Sequence, residues 1–226
     1  MQTEIIHNPG SAAARIRLEN GETMTAEGGS MIAMSSDVTL ETTTKKKGSS
    51  GGLLKAAKRL FGGESFFFNH YTAGASGADI WLSQTLPGDM MEMQLDGQTV
   101  ILQAGSFVAC SSGVDFDTGW QGFKNLLSKE SLFWLRASGK GTLVISSYGA
   151  IYPVRVDGEY IVDTGHIVGF DETLDFKLSK AGKSWVSSIL GGEGFVCRFN
   201  GHGTVWCQSH NAPSFGKVLG PKLRPR

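Results

Sequence analysis

Asn20-Gly21-Glu22-Thr23-Met24, followed closely by Gly29-Ser30-Met31-Ile32-Ala33, is the stretch that decides the fold, because it occurs three times in the chain. An Asn-Gly or Asp-Gly pair between apolar segments is a strong short-range signal for a tight β-hairpin, since both turn residues take positive φ. The recurrence predicts a compact all-β protein. The other two copies are Asp96-Gly97-Gln98-Thr99-Val100 with Gly105-Ser106-Phe107-Val108-Ala109, and Asp157-Gly158-Glu159-Tyr160-Ile161 with Gly165-His166-Ile167-Val168-Gly169.

Two further landmarks recur in the same order after each copy. An acidic residue precedes a hydrophobic strand, and a glycine opens a closing strand. This common order predicts three tandem units over residues 1–87, 88–152 and 153–212, with a solvated basic tail over 213–226. The acids are Glu64, Glu130 and Glu193, and the closing strands are Gly77–Trp81, Gly141–Ile145 and Gly203–Cys207.

Period-two alternation supports the strand prediction. Met91, Met93 and Leu95 alternate with polar residues, which places one face of the strand in the core. Ile16 and Leu18 alternate likewise, but their register is offset by one from the turn glycine, which predicts a bulge or a longer turn in the first copy.

The outer edges of the predicted unit triplet have no partner within the chain. A four-stranded unit of this size folds poorly alone, and packing three units side by side buries the edges between them. Pairing the two remaining edges with other molecules closes a ring. We therefore expect a homo-oligomer, most simply a homotrimer with about ninefold pseudosymmetry.

Composition narrows the function classes. Lys plus Arg equals Asp plus Glu at 21 each, so no global field attracts nucleic acid or anionic lipid. The three cysteines are never spaced as C-x-x-C, which favours a reducing compartment. The start of the chain lacks a signal-peptide layout, and no apolar run approaches the roughly 20 residues of a spanning helix. We expect a cytoplasmic protein whose membrane contact, if any, is peripheral.

The chain resembles the altered-inheritance-of-mitochondria twenty-four family over about residues 3 to 212. The resemblance implies a fold similar to that of the tryptophan RNA-binding attenuation protein. Three such antiparallel β-sandwich or barrel units, with short connecting helices, form each chain, pseudo-threefold, and the chains associate as trimers. Fungal members are linked to mitochondrial inner-membrane organisation, and bacterial members have no assigned activity. The resemblance implies no catalytic residues. It rests on Glu27-Gly28-Gly29-Ser30-Met31, on the segment from Gly51-Gly52 to Gly62-Gly63-Glu64-Ser65-Phe66, and on Gly105-Ser106-Phe107-Val108.

A basic amphipathic segment in the first unit, with apolar counterparts at helical spacing in the second and third units, gives the candidate contact residues. Apolar residues at helical spacing face one way, and lysines face the other in the first unit. Such short connecting helices either cap the sheet ends as core or share an exposed rim that binds a protein partner or an anionic membrane. Both readings stay open. The candidate residues are Leu53, Leu54, Lys55, Lys58, Leu60, Phe61, Phe123, Leu126, Trp185 and Ile189.

No motif predicts catalysis or a cofactor. Gly182-Lys183-Ser184 lacks the glycine that a phosphate-binding loop carries five positions earlier, where Lys177 stands. Gly48-Ser49-Ser50-Gly51-Gly52 lies beside three lysines in a low-complexity loop, without the strand-to-helix context of a nucleophile elbow. His202, Cys207 and His210 do not converge, because strand residues five apart face opposite sides. No cofactor or metal is expected.

The sequence thus favours a non-enzymatic trimeric scaffold or interaction protein that presents repeated surfaces to a partner or a membrane face. The alternative is a nucleic-acid or small-ligand binding module at the unit interfaces, and an enzyme with an unrecognised site is a third. RNA binding follows only from the likeness of fold, because matched basic and aromatic residues do not recur in the three units.

Overall fold

The computed structural model describes residues 1–43, 67–117, 134–180 and 195–223. Within these ranges the chain is mostly β-strand with one short α-helix, which confirms the all-β class. The strands are β1 (Gln2–Ile6), β2 (Ala13–Leu18), β3 (Thr23–Glu27), β4 (Met31–Met34), β5 (Thr39–Thr43), β6 (Phe68–Thr72), β7 (Ala78–Leu82), β8 (Met90–Asp96), β9 (Val100–Gln103), β10 (Phe107–Ser111), β11 (Val114–Asp117), β12 (Trp134–Ser146), β13 (Ile151–Asp163), β14 (Ile167–Asp171), β15 (Asp175–Lys180) and β16 (Phe195–Gln208), and helix α1 is Ala212–Leu219.

The repeated turn glycines lie between β2 and β3, between β8 and β9, and within β13, and they do not close hairpins. Gly21, Gly97 and Gly158 have positive φ values of 71°, 96° and 93°, as the sequence predicts. However, β2 pairs with β1 and β7, whereas β3 pairs with β6 and β10. The hairpin prediction is therefore wrong. Turn geometry is local, while the partner of each strand lies far along the chain.

Each corner involves two strands that bend together. Gly97 donates its N–H to the carbonyl of Gly139 at 2.9 Å, and Gly139 has φ 114°. Gly158 stands directly opposite Gly201, which has φ 118°. A residue with a Cβ is strained in this region, so glycine on both strands lets the ladder turn without losing its pairing.

One pattern of antiparallel pairing occurs at three places along the chain. β7 lies between β2 and β4, while β6 lies between β3 and β5. In β12 the first half lies between β9 and β11, and the second half between β8 and β10. The first half of β16 lies between β15 and the second half of β13, and its second half between β14 and the first half of β13.

Two further pairings join these groups. β3 pairs with β10, and β9 pairs with β14. Because β12, β13 and β16 continue through their bends from one layer to the next, one connected sheet contains twelve strands. A separate sheet has the order β1-β2-β7-β4, so β4 is one of its edges.

The register offset predicted for the first copy corresponds to a longer turn. Residues 19–22 separate β2 from β3, whereas residues 97–99 separate β8 from β9. Ile16 and Leu18 are nevertheless buried, and in β8 the side chain of Leu95 is buried while its neighbours Gln94 and Asp96 are exposed. The extra residue in the turn restores the inward direction of the apolar side chains.

The core consists of three hydrophobic clusters that follow one another along the chain. The first includes Ile16 and Ile80 together with Val108 of β10. The second includes Leu102 and Leu143 together with Val168 of β14. The third includes Phe170, Phe199 and Val205.

Helix α1 follows β16 where the sequence predicts only a solvated basic tail. Asn211 caps it by accepting a hydrogen bond from the N–H of Ser214 at 3.1 Å, and Pro213 lies in its first turn, where a missing N–H costs nothing. None of its residues is buried. In the part of the chain that the structure describes, no helix combines the length and the apolar character that crossing a membrane requires.

Candidate functional site

All ten predicted contact residues lie outside the described residues, in the segments 44–66, 118–133 and 181–194. Their role as core caps or as an exposed rim stays a prediction. Several described strands pair on one side only, and two of them, β4 and the later half of β13, are equivalent to strands that pair with each other inside the chain.

The first edge is β4, which pairs with β7 on one side only. Its four residues are Met31, Ile32, Ala33 and Met34, all exposed and none charged. Ile32 is 55% exposed. Natural sheets usually protect an open edge with charges, prolines or very short strands. Four exposed apolar residues on such an edge mark it as a surface for strand pairing.

The second edge is the later half of β13, residues 158–163, which pairs with β16 alone. Tyr160 and Ile161 are 46% and 45% exposed, although both are apolar residues in the middle of a strand. The edge also carries Glu159, whose carboxylate accepts a hydrogen bond from Arg198 at 3.0 Å. The edge therefore has an apolar centre, Tyr160 to Val162, with an acidic residue on either side, Glu159 and Asp163.

Inside the chain, strands equivalent to these two edges pair with each other. In the first case Ala26, Thr25 and Met24 of β3 stand opposite Ala109, Cys110 and Ser111 of β10. In the second case Leu102, Ile101 and Val100 of β9 stand opposite Gly169, Phe170 and Asp171 of β14. The three copies can be aligned on Gly29-Ser30, Gly105-Ser106 and Gly165-His166. In that alignment, the residue pairs between β3 and β10 occupy the same positions as those between β9 and β14.

The β4 edge repeats the local geometry of β10 and β14. In all three strands the pairing slips by one residue at the same point, at Ile32, Val108 and Val168. A bulge at this point turns the extra side chain off the regular ladder. Val108 and Val168 are fully buried there, in the first and the second hydrophobic cluster respectively.

The third hydrophobic cluster has no such contribution among the described residues. Its members come from β9, β12, β13, β14, β16 and the turn after β14, and no bulge residue of a following strand joins them. Ile32, which occupies the bulge position on β4, is instead exposed. Among the described residues, the third cluster thus lacks the bulge side chain that the first two contain, and the bulge residue of β4 is exposed.

The position after the bulge is small in every copy. Gly169 has no room for a side chain, since a Cβ there would lie 2.6 Å from Cδ2 of Leu102 and 2.8 Å from the carbonyl oxygen of Ile101. Ala109 occupies this position in β10 and is completely buried. Ala33 occupies it in β4. Among the described strands β4 pairs with β7 alone, so no second strand lies close to Ala33.

An ion pair spans the second internal junction. Nη2 of Arg136 on β12 donates to the carboxylate of Glu172, just after β14, at 2.8 Å. This hydrogen bond raises the pKa of Arg136 and lowers the pKa of Glu172. Both groups are partly exposed, so their contribution to stability is small. On β16 the matching position is Arg198, which pairs with Glu159 at the open edge.

Among the described residues, His70 and His202 do not join the buried cysteines in one site. Burial raises the pKa of Cys197 to about 12 and that of Cys207 to about 11, so both stay as thiols. His202 is exposed and pairs with Asp157 at 2.9 Å, so it does not meet the buried Cys207. His70 lies buried between the hydroxyls of Thr25 and Thr43. Over the described ranges no group of three potential metal ligands is found.

Sequence reasoning predicted open outer edges but named none of their residues. Met31, Ile32 and Ala33 stand in the first repeated phrase, and Tyr160 and Ile161 in the third. The available signal was the order of the three predicted units: a strand that pairs with the next unit inside the chain has no such partner at either end of the triplet. The sequence does not show which strands pair between units, so it cannot identify the strands that are left open.

The geometry of the described residues defines an all-β protein built from large antiparallel sheets. The chain belongs to the family described as Mitochondrial biogenesis AIM24, whose model matches residues 3–210. It is 30% identical over 209 residues to an uncharacterized protein from Streptococcus pyogenes serotype M6, covering 90% of this chain and 84% of that one. It also matches a crystal structure of a Streptococcus pyogenes protein with a TM-score of 0.77 and 27% identity, covering 98% and 99% of the two chains.

Proposed function

We propose that the chain consists of three tandem units of the attenuation-protein-like type and closes with two further chains into a homotrimeric ring that acts as a non-enzymatic scaffold. The single observation that carries the proposal is the pair of open edges, β4 and residues 158–163, which match the strands joined inside the chain. Contacts of this head-to-tail kind form a ring when the rotation closes. The family resemblance implies three chains.

The internal junctions supply the register of the proposed contact. Carrying them over puts Ala33 of one chain opposite Val162 of the next, with Met34 opposite Ile161 and Ser35 opposite Tyr160. Both known junctions give this same set of pairs. The register also brings Ile32 toward the third hydrophobic cluster. The equivalent residues Val108 and Val168 belong to the first and the second cluster respectively.

A scaffold role is supported by repetition rather than by a catalytic group. A ring of three chains presents every surface feature three times, so weak individual contacts gain avidity. The described cysteines are buried, and the buried His70 lies between the hydroxyls of Thr25 and Thr43. The predicted contact segment at residues 53–61 would occur three times in such a ring.

The first test changes one edge residue. Ile32→Asp should dissociate the trimer to monomers, because the proposed contact buries this side chain in the core of the next chain and a buried carboxylate is costly. Tyr152→Asp is the matched control: Tyr152 is 45% exposed on the first half of β13, away from both edges, and the variant should stay trimeric. Native mass spectrometry measures both masses. A wild-type monomer, or a trimer that survives Ile32→Asp, would refute the ring.

The second test addresses register. Met34→Cys combined with Ile161→Cys should give disulfide-linked chains that stop at three, because directly opposed strand residues have Cβ atoms about 5 Å apart. Met31→Cys with Ile161→Cys moves one thiol three positions along the strand, roughly 10 Å, and should stay uncrosslinked. The native cysteines are buried and do not compete. Equal crosslinking of both pairs would exclude this register.

A further inference from the structure

Successive residues of β12 and β16 belong to different hydrophobic clusters. In β12, Leu143 lies in the second cluster, whereas the next residue, Val144, is completely buried in the first. In β16, Val205 lies in the third cluster, whereas Trp206 packs against the second. Side chains that follow one another along a strand point to opposite faces of the sheet. One residue of each strand therefore reaches the cluster that precedes its own along the chain.

Trp81 occupies this position on β7, because it stands opposite the residue that follows the bulge of β4. Its neighbours Ile80 and Leu82 lie in the first cluster, so Trp81 points to the opposite face of the sheet. Trp81 is partly exposed, and none of the three clusters of described residues includes it. The corresponding pairs in the three strands are Val144 with Ala109, Trp206 with Gly169, and Trp81 with Ala33.

Two further residues accompany Trp81 on this face of the sheet. One is Ile32, at the bulge of β4. The other is Ala13, which lies two residues before the β2 residue that pairs with Trp81. The same positions on β8 and β13 are Met90 and Ile151, of which the first belongs to the first cluster and the second packs against the second cluster. All three positions on this face thus have equivalents that cover a preceding cluster.

An ion pair holds the indole of Trp81 in place. The guanidinium of Arg15, directly opposite on β2, lies 5.2 Å from the centroid of the Trp81 ring. Nε and Nη2 of Arg15 donate to the carboxylate of Asp79 at 3.0 Å and 2.6 Å. These hydrogen bonds raise the pKa of Arg15 and lower the pKa of Asp79. Because the cation stacks on the ring, the indole loses less freedom when another surface packs against it.

We propose that Trp81, flanked by Ala13 and Ile32, anchors a face-to-face contact with the third hydrophobic cluster of a second copy of the chain. The inference rests on the proposed ring, which places β4 of one chain beside β13 of the next. A second copy is the occupant because inside the chain the equivalent side chains are received by clusters of this same fold. Among the described residues, the third cluster receives none of this kind. Strand pairing at the β4 edge supplies backbone hydrogen bonds, whereas this face supplies buried apolar area.

The first experiment measures the strength of assembly over a dilution series by sedimentation equilibrium. Trp81→Ala should raise the concentration at which half of the chains are dissociated by at least about tenfold, because large aromatic anchors dominate such contacts. Trp81→Phe keeps an apolar ring and should weaken the trimer less than Trp81→Ala does. A graded loss of this kind distinguishes an anchor from a residue that merely lies nearby.

The second experiment separates assembly from folding in the Ile32→Asp background, which should be monomeric. Adding Trp81→Ala should leave the free energy of unfolding nearly unchanged, since the indole of a single chain packs against no cluster of described residues. Adding Trp206→Ala is the matched control. It removes the same side chain at the equivalent position and should lower the free energy of unfolding clearly, because Trp206 packs against a cluster of its own chain. Urea unfolding measures both.

Two results would overturn the inference and leave the ring standing. One is a wild-type trimer that Trp81→Ala leaves equally tight. The other is an equal loss of unfolding free energy for Trp81→Ala and Trp206→Ala in the monomeric background, which would place the indole in the core of its own chain. A wild-type chain that is monomeric throughout the dilution series would refute the ring itself, and with it a second copy as the occupant.

Discussion

At the residue scale, Glu27 is a carboxylic acid placed where its charged form is disfavoured. It ends β3, and its backbone carbonyl accepts a hydrogen bond from the hydroxyl of Ser30 at 2.8 Å. Burial raises the pKa of its side chain to about 7. The strand-end positions that face the next strand in the same way are Gln103 and Asp163, so the second copy already carries an uncharged amide there.

Glu27→Gln should change how stability depends on pH. The folded state holds the proton up to a pKa of about 7, while the unfolded chain releases it near the ordinary value of 4.5, so the wild type loses stability as pH rises through this window. The full loss is roughly 3 kcal/mol. The free energy of unfolding of the variant minus that of the wild type should therefore increase between pH 4.5 and 7. Above pH 7 this difference should stay constant. Urea unfolding at several pH values measures this, and Glu19→Gln, an exposed residue, controls for net charge. Parallel pH profiles would contradict it.

At the scale of elements, the sequence defines local geometry but leaves strand pairing open. The positive φ of Gly21, Gly97 and Gly158 followed from the Asn-Gly and Asp-Gly steps. The bends at Gly97 and Gly158 also depend on the glycines opposite them, Gly139 and Gly201. Each of these lies more than 40 residues further along the chain, on the opposing strand. The open edges were foreseeable as a consequence of repetition. Their residues were not, because Ile32 and Val108 look alike in sequence and differ only in whether a partner strand covers them.

The corner glycines give a test at this scale. Gly158→Ala should destabilise the protein by roughly 1–2 kcal/mol, because φ 93° is unfavourable for an L-residue while the site has open space for a methyl group. Gly10→Ala is the control, as its site is equally open and has no positive φ, and it should change the free energy of unfolding little. Urea unfolding at one fixed protein concentration compares them, since assembly itself adds stability. Equal effects at both positions would show that the corner is not strained.

At the scale of the whole molecule, ring closure makes two distant segments depend on each other. Residues 31–34 of one chain and 158–163 of the next would protect each other's amides in the trimer, although more than 120 residues separate them in sequence. Paired edge amides open only with local or global unfolding, whereas free edge amides exchange readily.

Ile32→Asp should therefore speed hydrogen exchange not only in β4, which carries the change, but also in residues 158–163, by at least about tenfold. The internal junction partners β9 and β14 should keep their protection, because their pairing lies within one chain and does not depend on assembly. Exchange measured by mass spectrometry of peptides resolves all four segments. Faster exchange confined to β4 would mean that the protection of residues 158–163 does not depend on β4. Fast exchange of both edges in the wild type would mean that the two edges never meet.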